Sequence, residues 1–525
     1  MRCATSSECP LVAQVRLPAA NEVLDCAGEF GHSRVSPMSH PVVVIGAGLG
    51  GLSAAIHLRM RGFDVIVLEK NSQPGGRANR IDDRGYLFDT GPSLINYPWV
   101  FEQLFAASGA TMGEYVRLMP VDPSVKFYWR EGKTLCLSSR FDGLAEEFSN
   151  FEEAADVKIA RFIHDTAHRF RVVFDHLVTR NASSVASWIA PVPKRELFRL
   201  GLFTTLDRQL KRYFRSERIR AALGSYAMYL GASPYELPGT FSILPFGELY
   251  YGLWYPRGGI YSLVRAIEQR AREIGVELRY NAPVSAITTT GTRVHGVQVA
   301  TGEFVRADVV VSNVDVPTTY QLLGRNPSSR SWPMTPGVIT FYWGISADIP
   351  QLHHHCIFLP SNVRQAYKQL KERIPDDLPF YTCLPSRSDP AVAPEGKHTL
   401  FVLVPTPTIS QAGESFDWDR AVSLAREQVL ARLHHHSVAL SASSIEVEHV
   451  WTPRDWSQRF GLYDGSAFGL SHTLMHMGPL RPSNRDPQIA GLYYVGASTT
   501  PGTGLPMVVL SGRMTAERIW NDTRR

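Results

Sequence analysis

Residues 41–69, with the sequence PVVVIGAGLGGLSAAIHLRMRGFDVIVLE, carry the pattern that decides the fold. Residues 41–45 form an apolar, β-branched run, which is typical of a strand buried on both faces of a parallel sheet. A Gly-x-Gly-x-x-Gly turn follows, then an apolar helical stretch that stops near Gly62, and a second apolar run that ends in Glu69. In this strand–turn–helix–strand order, the glycine pattern predicts a dinucleotide-binding unit.

We expect each glycine of the turn to have a different role. Gly46 permits the tight turn, Gly48 lets the backbone approach a pyrophosphate, and Gly51 lets the helix pack on the strand. The N-terminus of the helix then presents unpaired N–H groups and a positive dipole end to the phosphates. Glu69, about twenty residues further on, is placed to hydrogen-bond the adenosine ribose.

A second glycine pair, Gly75 and Gly76, follows the acid and is succeeded directly by Arg77. Two glycines clear space for a ligand, and a guanidinium gives charge-assisted hydrogen bonds to a phosphate. Together with residues 85–92 (GYLFDTGP), this segment resembles the flavin amine-oxidase superfamily, whose members use such a pair with arginine at the diphosphate. The resemblance implies that the cofactor is FAD, because a nicotinamide enzyme does not need the second glycine pair.

Another glycine-rich junction lies at the far end of the chain. Residues 491–507 (GLYYVGASTTPGTGLPM) predict a strand and a turn, and residues 508–519 predict a helix. We expect Gly496, Gly504 and Met507 to close the flavin site. The N-terminus of the helix would face the flavin pyrimidine ring and stabilise negative charge on it.

The C-terminal segment narrows the resemblance to bacterial-type phytoene desaturases, the carotenoid-desaturase branch of the superfamily. The match runs from about residue 41 to residue 520. Its further motifs are FDTGP at 88–92, GASP at 231–234, WYPRGG at 254–259, SNVD at 312–315, HH at 354–355 and RPSNRD at 481–486. Thr500 departs from the pattern, because many relatives are expected to carry histidine there.

The resemblance implies an α/β fold in which a discontinuous Rossmann-like FAD-binding domain carries an inserted α+β substrate domain, as in amine oxidases. In the superfamily, the backbone at the position matching Val284 lies against the adenine. Residues 1–40 show no periodicity. We expect them to be either a disordered tail or the product of a start codon assigned too far upstream. The FAD-binding domain is expected at 41–120, 248–320 and 485–525, and the substrate or membrane-facing domain at 121–247 and 321–484.

The composition limits the class of protein. A net charge of +5 in 525 residues is too weak to indicate nucleic-acid binding. No run of about 18 uncharged apolar residues occurs, so the sequence predicts no membrane-spanning helix. Six cysteines without a Cys-x-x-Cys pair are no disulfide framework, and a reducing, cytoplasmic compartment fits best.

From the resemblance we expect an FAD-dependent oxidoreductase of carotenoid biosynthesis. It would introduce double bonds into phytoene or diapophytoene, which are long polyisoprenoid hydrocarbons; the sequence does not identify its electron acceptor. The alternatives are a carotenoid-tail oxidase, another flavin amine-oxidase-like enzyme, or a non-catalytic prenyl-lipid chaperone of the Rab GDP-dissociation-inhibitor kind. The chaperone would have a degraded flavin site, whereas both glycine junctions, Glu69 and Arg77 are intact here.

Glu248 is the candidate for a pocket carboxylate that accepts the proton lost from the substrate. It stands directly ahead of residues 249–259 (LYYGLWYPRGG). The alternative is a structural salt bridge. Asp175 is the one acid between residues 175 and 195, and nothing around it marks a catalytic role.

Two histidine triplets, at 353–355 and 434–436, look like metal ligands. Consecutive residues on one element point in different directions, however, and no cysteine or carboxylate keeps ligand spacing to either triplet. No metal site is therefore predicted, and the first triplet is a candidate lining of the substrate channel. Trp254 and Tyr255 are either core aromatics or walls of the pocket.

Residues 194–220 are rich in lysine and arginine. Their apolar members recur at helical spacing; they are Leu202, Phe203, Leu206, Leu210 and Phe214. The pattern predicts either a solvated basic helix or a helix that lies on a membrane surface. The second alternative suits an enzyme that draws a water-insoluble substrate from a bilayer, so we expect peripheral attachment to the membrane surface.

Overall fold

The computed structural model describes residues 40–327, 331–370 and 372–524; residues 1–39, and with them the predicted disordered tail, lie outside these ranges. The strands are β1 (Val42–Ile45), β2 (Val65–Leu68), β3 (Arg80–Asp83), β4 (Tyr86–Asp89), β5 (Leu118–Val121), β6 (Val125–Trp129), β7 (Thr134–Leu137), β8 (Leu253–Pro256), β9 (Glu277–Arg279), β10 (Val284–Thr290), β11 (Arg293–Val299), β12 (Phe304–Arg306), β13 (Val309–Ser312), β14 (Gly337–Ile345), β15 (His355–Leu359), β16 (Phe380–Cys383), β17 (His398–Thr406), β18 (Ile445–Trp451) and β19 (Leu492–Tyr494). The α-helices are α1 (Leu49–Arg59), α2 (Pro98–Ala107), α3 (Phe141–Ser149), α4 (Ala155–Val173), α5 (Val185–Ile189), α6 (Lys194–Leu197), α7 (Leu206–Leu210), α8 (Glu217–Gly224), α9 (Ile243–Tyr251), α10 (Ile260–Glu273), α11 (Val316–Leu322), α12 (Val363–Gln369), α13 (Ile409–Ala412), α14 (Trp418–His435), α15 (Pro453–Phe460) and α16 (Leu505–Thr523).

A parallel sheet in the order β19-β13-β1-β2-β9 brings distant parts of the chain together. Successive side chains of each strand point to opposite faces of the sheet. Val42 and Val44 pack with α1, α10 and α16, whereas Val43 and Ile45 pack with the antiparallel sheet β10-β11-β12. Both faces are buried, which explains the continuous apolar runs in the sequence and confirms the predicted α/β class.

Helices α1 and α16 pack closely although they lie near opposite ends of the chain. Ser53 Oγ donates a hydrogen bond to Val509 O at 2.8 Å. A Cβ atom at Gly512 would lie 2.5 Å from Ser53 Oγ, so glycine is what lets the two helices approach. Because α1 follows β1 and α16 follows β19, both helices begin at the carboxyl edge of the sheet, where such folds bind ligands.

A second, mixed sheet follows the order β18-β14-β17-β16-β15-β6-β7. β15 pairs with β6 in parallel, and the other neighbours are antiparallel. Every residue of β14 is buried. Phe341 and Trp343 pack with Val429 of α14 on one face, while Tyr342 faces the main core on the other. The sheet is therefore a wall between α14 and the centre of the molecule.

The prediction of one amphipathic helix over residues 194–220 is wrong. The segment contains α6, α7 and the beginning of α8, separated by turns. Thr205 and Ser216 start new helices, because their hydroxyls accept hydrogen bonds from the backbone N–H groups of Arg208 and Ile219. These caps interrupt the helical period that the sequence displays.

The apolar residues of this segment divide into two groups. Leu206, Leu210 and Phe214 are fully buried and belong to the main core. Phe203, in contrast, is 91% exposed, and Leu202 is partly buried. The buried group cannot lie on a membrane, because its helical spacing reflects the side that packs on the protein interior.

None of the helices in the described parts of the chain combines the length and the apolar character needed to cross a membrane. The strands of the parallel sheet come from ranges 42–68, 277–312 and 492–494. The division into a discontinuous FAD-binding domain and an inserted substrate domain stays a prediction.

Candidate active site

A cavity of about 1040 Å³ lies between the parallel sheet, the seven-stranded sheet and the helices of residues 141–251. One part of its wall is glycine-rich backbone, and the rest is mainly aliphatic and aromatic. The predicted cofactor residues that line it are Gly46, Gly48, Glu69, Gly76, Arg77, Val284, Gly496, Gly504 and Met507. The fold therefore collects these nine residues around one space, although they are spread over more than 460 positions of the sequence.

The first glycine turn has the geometry that the sequence predicts. Gly46 has a φ of +95°, which favours glycine, and Gly48 precedes α1. The turn contacts the second glycine pair, since Gly75 N donates to Ala47 O at 2.9 Å. Gly51 lies outside the cavity wall: a Cβ there would stand 2.2 Å from Gly46 O, so this glycine serves helix–strand packing.

Glu69 is buried at the end of β2. Its two carboxylate oxygens accept hydrogen bonds from Ala47 N at 2.8 Å and Asn71 N at 2.9 Å. Burial raises the pKa of Glu69, while the two N–H donors act in the opposite direction. A carboxylate has about four acceptor positions, so two hydrogen bonds leave it able to accept from a ribose hydroxyl.

Arg77 lies in the cavity wall with a partner that the sequence did not reveal. Its Nη2 donates to both carboxylate oxygens of Asp315 at 3.1 Å. Asp315 also accepts from Ser498 Oγ at 2.5 Å and from Tyr463 N at 3.2 Å. The Nε atom of Arg77 is buried and has no hydrogen-bond partner among the described residues, which suits a group that meets a bound anion.

Asn313 connects the two glycine junctions. A Cβ atom at Gly48 would lie 2.6 Å from its Nδ2, and Cβ atoms at Gly50 and Gly496 would lie 2.7 and 2.9 Å from its Oδ1. Asn313 follows β13 and lines the cavity. Its motif was part of the family resemblance, but its position between the two junctions appears only when β13 stands beside β1.

Arg481 is a fully buried arginine that holds two loops beside the cavity. Its guanidinium donates to the carbonyl oxygens of Thr499 and Ala497 in the C-terminal glycine loop. On the other side, it donates to the carbonyl oxygens of Leu470 and Ser471. Arg481 thereby fixes the 470s loop against the loop that closes the predicted flavin site.

His472 projects from that loop into the cavity wall. Its Nε2 accepts a hydrogen bond from Thr503 N at 3.3 Å, and burial holds the pKa of His472 well below its ordinary value. A Cβ atom at Gly502 would lie 2.2 Å from the same Nε2. A lone histidine without a motif gave no signal for this role in the sequence.

Glu248 lines the cavity at the C-terminal end of α9 and is only 3% exposed. Its carboxyl group accepts a hydrogen bond from Ser124 Oγ. Burial raises its pKa to about 7, against the opposing effect of hydrogen bonds from Ser124 and Tyr226. No ion pair to Glu248 occurs within the described ranges, so the structure gives no support to the salt-bridge alternative.

The other candidates from the sequence lie away from the cavity. Asp175 is exposed on a π-helical turn, while its neighbours Phe174 and Leu177 line the wall. Tyr255 is a core residue that donates to Asp89 Oδ2 at 2.8 Å. Neither Trp254 nor the histidines of the 353–355 triplet line the cavity.

Comparison with known proteins gives the family directly. The family model described as flavin containing amine oxidoreductase matches residues 49–520, from within the first glycine turn through the C-terminal junction. The chain belongs to this family. FAD is accordingly the cofactor of this amine oxidoreductase. The Nε atom of Arg77, which has no partner among the described residues, and the closely spaced glycine turns fit this cofactor.

Several curated members of the family resemble the chain over nearly its whole length. The zeta-carotene-forming phytoene desaturase of Myxococcus xanthus is 37% identical over 92% of this chain and 94% of its own length. The phytoene desaturase of Fusarium fujikuroi is 33% identical over 93% and 90%. The 4,4'-diapolycopene oxygenase of a Methylomonas species is 31% identical over 92% and 98%.

Solved structures share the fold at low sequence identity. Wild-type putrescine oxidase bound to putrescine superposes with a TM-score of 0.60 at 15% identity, covering 93% of this chain and 100% of that one. The Rab GDI of Plasmodium falciparum gives a TM-score of 0.55 at 12% identity over 92% and 98%. These likenesses confirm the amine-oxidase-like architecture of the amine oxidoreductase described here.

Proposed function

We propose that this amine oxidoreductase is a carotenoid desaturase that introduces double bonds into phytoene or diapophytoene. The observation that carries the proposal is the cavity, whose wall joins glycines of both junctions to aliphatic and aromatic side chains. A polyene hydrocarbon offers no polar group to recognise, so only shape and apolar contact can orient it. The identity of 31–37% to carotenoid desaturases and a related oxygenase supports the same substrate class.

Bound FAD supplies the two-electron acceptor that the removal of two hydrogens from adjacent carbons requires. The residues of the chain align the substrate and exclude water. Phe174 and Leu177 line one wall of the cavity, and Tyr381 and Phe401 of the seven-stranded sheet line another. Glu248, when ionised, is the candidate base for the proton that the substrate loses, because it is buried and lines the same cavity.

A carotenoid-tail oxidase is the second candidate, and one observation favours it. The 4,4'-diapolycopene oxygenase of the Methylomonas species covers 92% of the chain at 31% identity. The two functions would use the same cavity and differ in substrate. The chaperone alternative is disfavoured, because it predicts a degraded flavin site, whereas Glu69 and Arg77 are both present and line the cavity.

The proposal is tested with purified, FAD-loaded protein and, in separate reactions, phytoene, diapophytoene or diapolycopene held in anionic liposomes. Extracted pigments are separated, and each absorption spectrum gives the length of the conjugated system. We expect a longer conjugated system to appear from phytoene or diapophytoene. If neither is changed while diapolycopene gains oxygen, the protein is the tail oxidase; if none of the three is altered, the desaturase proposal fails.

Membrane attachment is part of the proposal, since a hydrocarbon substrate must come from a bilayer. Four exposed apolar side chains lie close in sequence to residues that line the cavity, and we call them the apolar rim: Phe198, Phe203, Met475 and Leu480, which are 93, 91, 65 and 43% exposed. Leu202 and Met477, close to the rim in sequence, line the cavity. We infer that the rim dips into the membrane surface and that the substrate enters beside it.

A further inference from the structure

A buried cluster of three possible metal ligands lies outside the cavity wall. His354 directly precedes β15, His355 is the first residue of β15, and Cys383 is the last residue of β16. The antiparallel register places His355 directly opposite Cys383. One ligand atom of each residue lies within 4.8 Å of the others, and the three residues are 3, 0 and 2% exposed. His355 and Cys383 are 28 positions apart in the sequence, so the sequence pattern does not show this arrangement.

The histidines already use one nitrogen each. His354 Nδ1 lies 2.7 Å from Ser388 Oγ, and His355 Nδ1 lies 2.7 Å from the hydroxyl of Tyr381. Their Nε2 atoms are buried and have no hydrogen-bond partner within the described ranges. Buried polar atoms are normally satisfied, so the two Nε2 atoms are the nitrogens that these histidines have left for a ligand.

We propose that His354 Nε2, His355 Nε2 and Cys383 Sγ bind a thiophilic transition-metal ion, of which zinc is the representative. Two imidazole nitrogens and one thiolate form a donor set that zinc uses. The hydroxyls on the Nδ1 atoms would orient both rings, as partners of metal-bound histidines commonly do. When the metal–sulfur bond forms, the S–H bond of Cys383 breaks and its proton leaves to solvent; no electron is transferred.

Charge and environment agree with a cation at this place. The ring centroids of Tyr255 and His354 lie 4.8 Å apart. The hydroxyl of Tyr255 donates a hydrogen bond to Asp89, which supplies a carboxylate close to the cluster. A divalent ion with one thiolate has a net charge of +1, which such a carboxylate offsets.

The proposed ion has a structural consequence for the cavity. The hydroxyl of Tyr381 lies 2.7 Å from His355 Nδ1 and 2.6 Å from Ser93 Oγ. Tyr381 and Ser93 both line the cavity. A metal on His355 would therefore hold β15 and β16 together and fix the position of Tyr381 in the cavity wall. The expectation from sequence that the chain has no metal site is replaced by this proposal.

The test measures metal in the purified FAD-loaded protein. Protein from zinc-supplemented medium is analysed by elemental mass spectrometry, and apoprotein is titrated with Co²⁺. We expect about one zinc per chain, and cobalt ligand-field bands, at wavelengths beyond the flavin absorption, that indicate a thiolate ligand. Binding should weaken as the pH falls, because a proton competes for Cys383.

Matched variants separate this site from adventitious binding. Cys383→Ser and His355→Gln should lose the metal, whereas Cys136→Ser and His436→Gln should keep it. Cys136 lies outside the cluster, and His436 also has a buried Nε2 without a partner. If the wild-type protein neither contains zinc nor takes up added Co²⁺, or if Cys383→Ser binds metal equally well, the proposal is wrong. The wild-type measurements decide it even when a variant fails to fold.

Discussion

Arg77 and Asp315 form an ion pair at 3.1 Å across a separation of 238 residues. Asp315 is buried, whereas the side chain of Arg77 is 26% exposed. The pair fixes the guanidinium at the cavity wall and leaves its Nε free of protein partners among the described residues. An arginine placed in advance loses less conformational entropy when it meets a diphosphate, so we predict that Asp315 acts on FAD binding through Arg77.

Asp315→Asn should weaken FAD binding about tenfold. The amide oxygen can still accept from Ser498 and Arg77, but the carboxylate charge and the second acceptor for the guanidinium are lost, so Arg77 is held more weakly. Flavin titration of apoprotein, followed by fluorescence, measures the change. The control is Asp376→Asn, which removes an exposed partner of Arg373 and should bind FAD as the wild type does. Equal affinities for the wild type and Asp315→Asn would contradict the positioning role.

Gly48→Val should abolish FAD retention while the rest of the chain stays folded. A Cβ atom at this position would stand 2.6 Å from Asn313 Nδ2, where the backbone must also approach the pyrophosphate. The flavin absorbance of the purified variant and its circular dichroism measure the two effects. Gly113→Val is the control, because a Cβ there meets no atom within 4 Å. A Gly48→Val protein with full flavin absorbance would show that the first turn does not bind the cofactor.

Glu248→Gln should lower turnover about a hundredfold or more and leave bound FAD unchanged. The wild-type rate should rise with pH through about 7, because only the ionised carboxyl can accept a proton and its pKa is raised to about 7. The glutamine variant should lack this rise. Asp175→Asn, an exposed acid beside the same wall, is the control and should keep the wild-type profile. Near-normal turnover by Glu248→Gln would remove Glu248 from the mechanism.

The same residue makes a prediction for stability. The folded-state pKa of Glu248 lies above the ordinary carboxyl value, so the folded protein favours the protonated form. This contribution to stability is fully present below about pH 4.5 and is lost as the pH rises through about 7. The melting temperature of Glu248→Gln should therefore match the wild type at low pH and exceed it at pH 8. A constant difference at all pH values would mean that the carboxyl does not titrate near neutrality.

The double variant Phe203→Glu/Met475→Glu should release the protein from anionic liposomes. Both side chains are exposed members of the apolar rim, and two charges there oppose insertion into lipid. Sedimentation with liposomes measures binding, and flavin content should stay constant. Val157→Glu is the control, since Val157 is 64% exposed on α4 outside the rim. If the double variant sediments as the wild type does, the membrane contact lies elsewhere.

The N-terminal part of the candidate cofactor site could be predicted because its residues lie close together in the sequence. Gly46, Gly48 and Glu69 lie within one strand–turn–helix–strand unit, where spacing alone indicates geometry. Asn313, Asp315 and Arg481 reach the site through contacts between distant segments, for which the chain carries no periodic pattern. Family motifs marked these three residues, but only the folded sheet shows which atoms they contact.

Two features were not predicted from the sequence, for physical reasons: the division of residues 194–220 into short helices, and the approach of Cys383 to the histidines. Helical spacing at Leu206, Leu210 and Phe214 shows that one side of the segment is apolar, yet spacing does not distinguish a face toward lipid from a face toward the core. Capping by Thr205 then divides the expected helix. Cys383 escaped notice as a possible partner of the histidines because strand pairing, rather than sequence distance, brings it to them.

The packing of α16 on α1 has a consequence for biosynthesis. The first glycine turn and α1 lie within residues 46–59, whereas Gly504, Met507 and α16 lie within residues 504–523. The turn and α1 are therefore made long before their partner helix. Closure of the cavity by both glycine junctions has to wait until α16 has been translated.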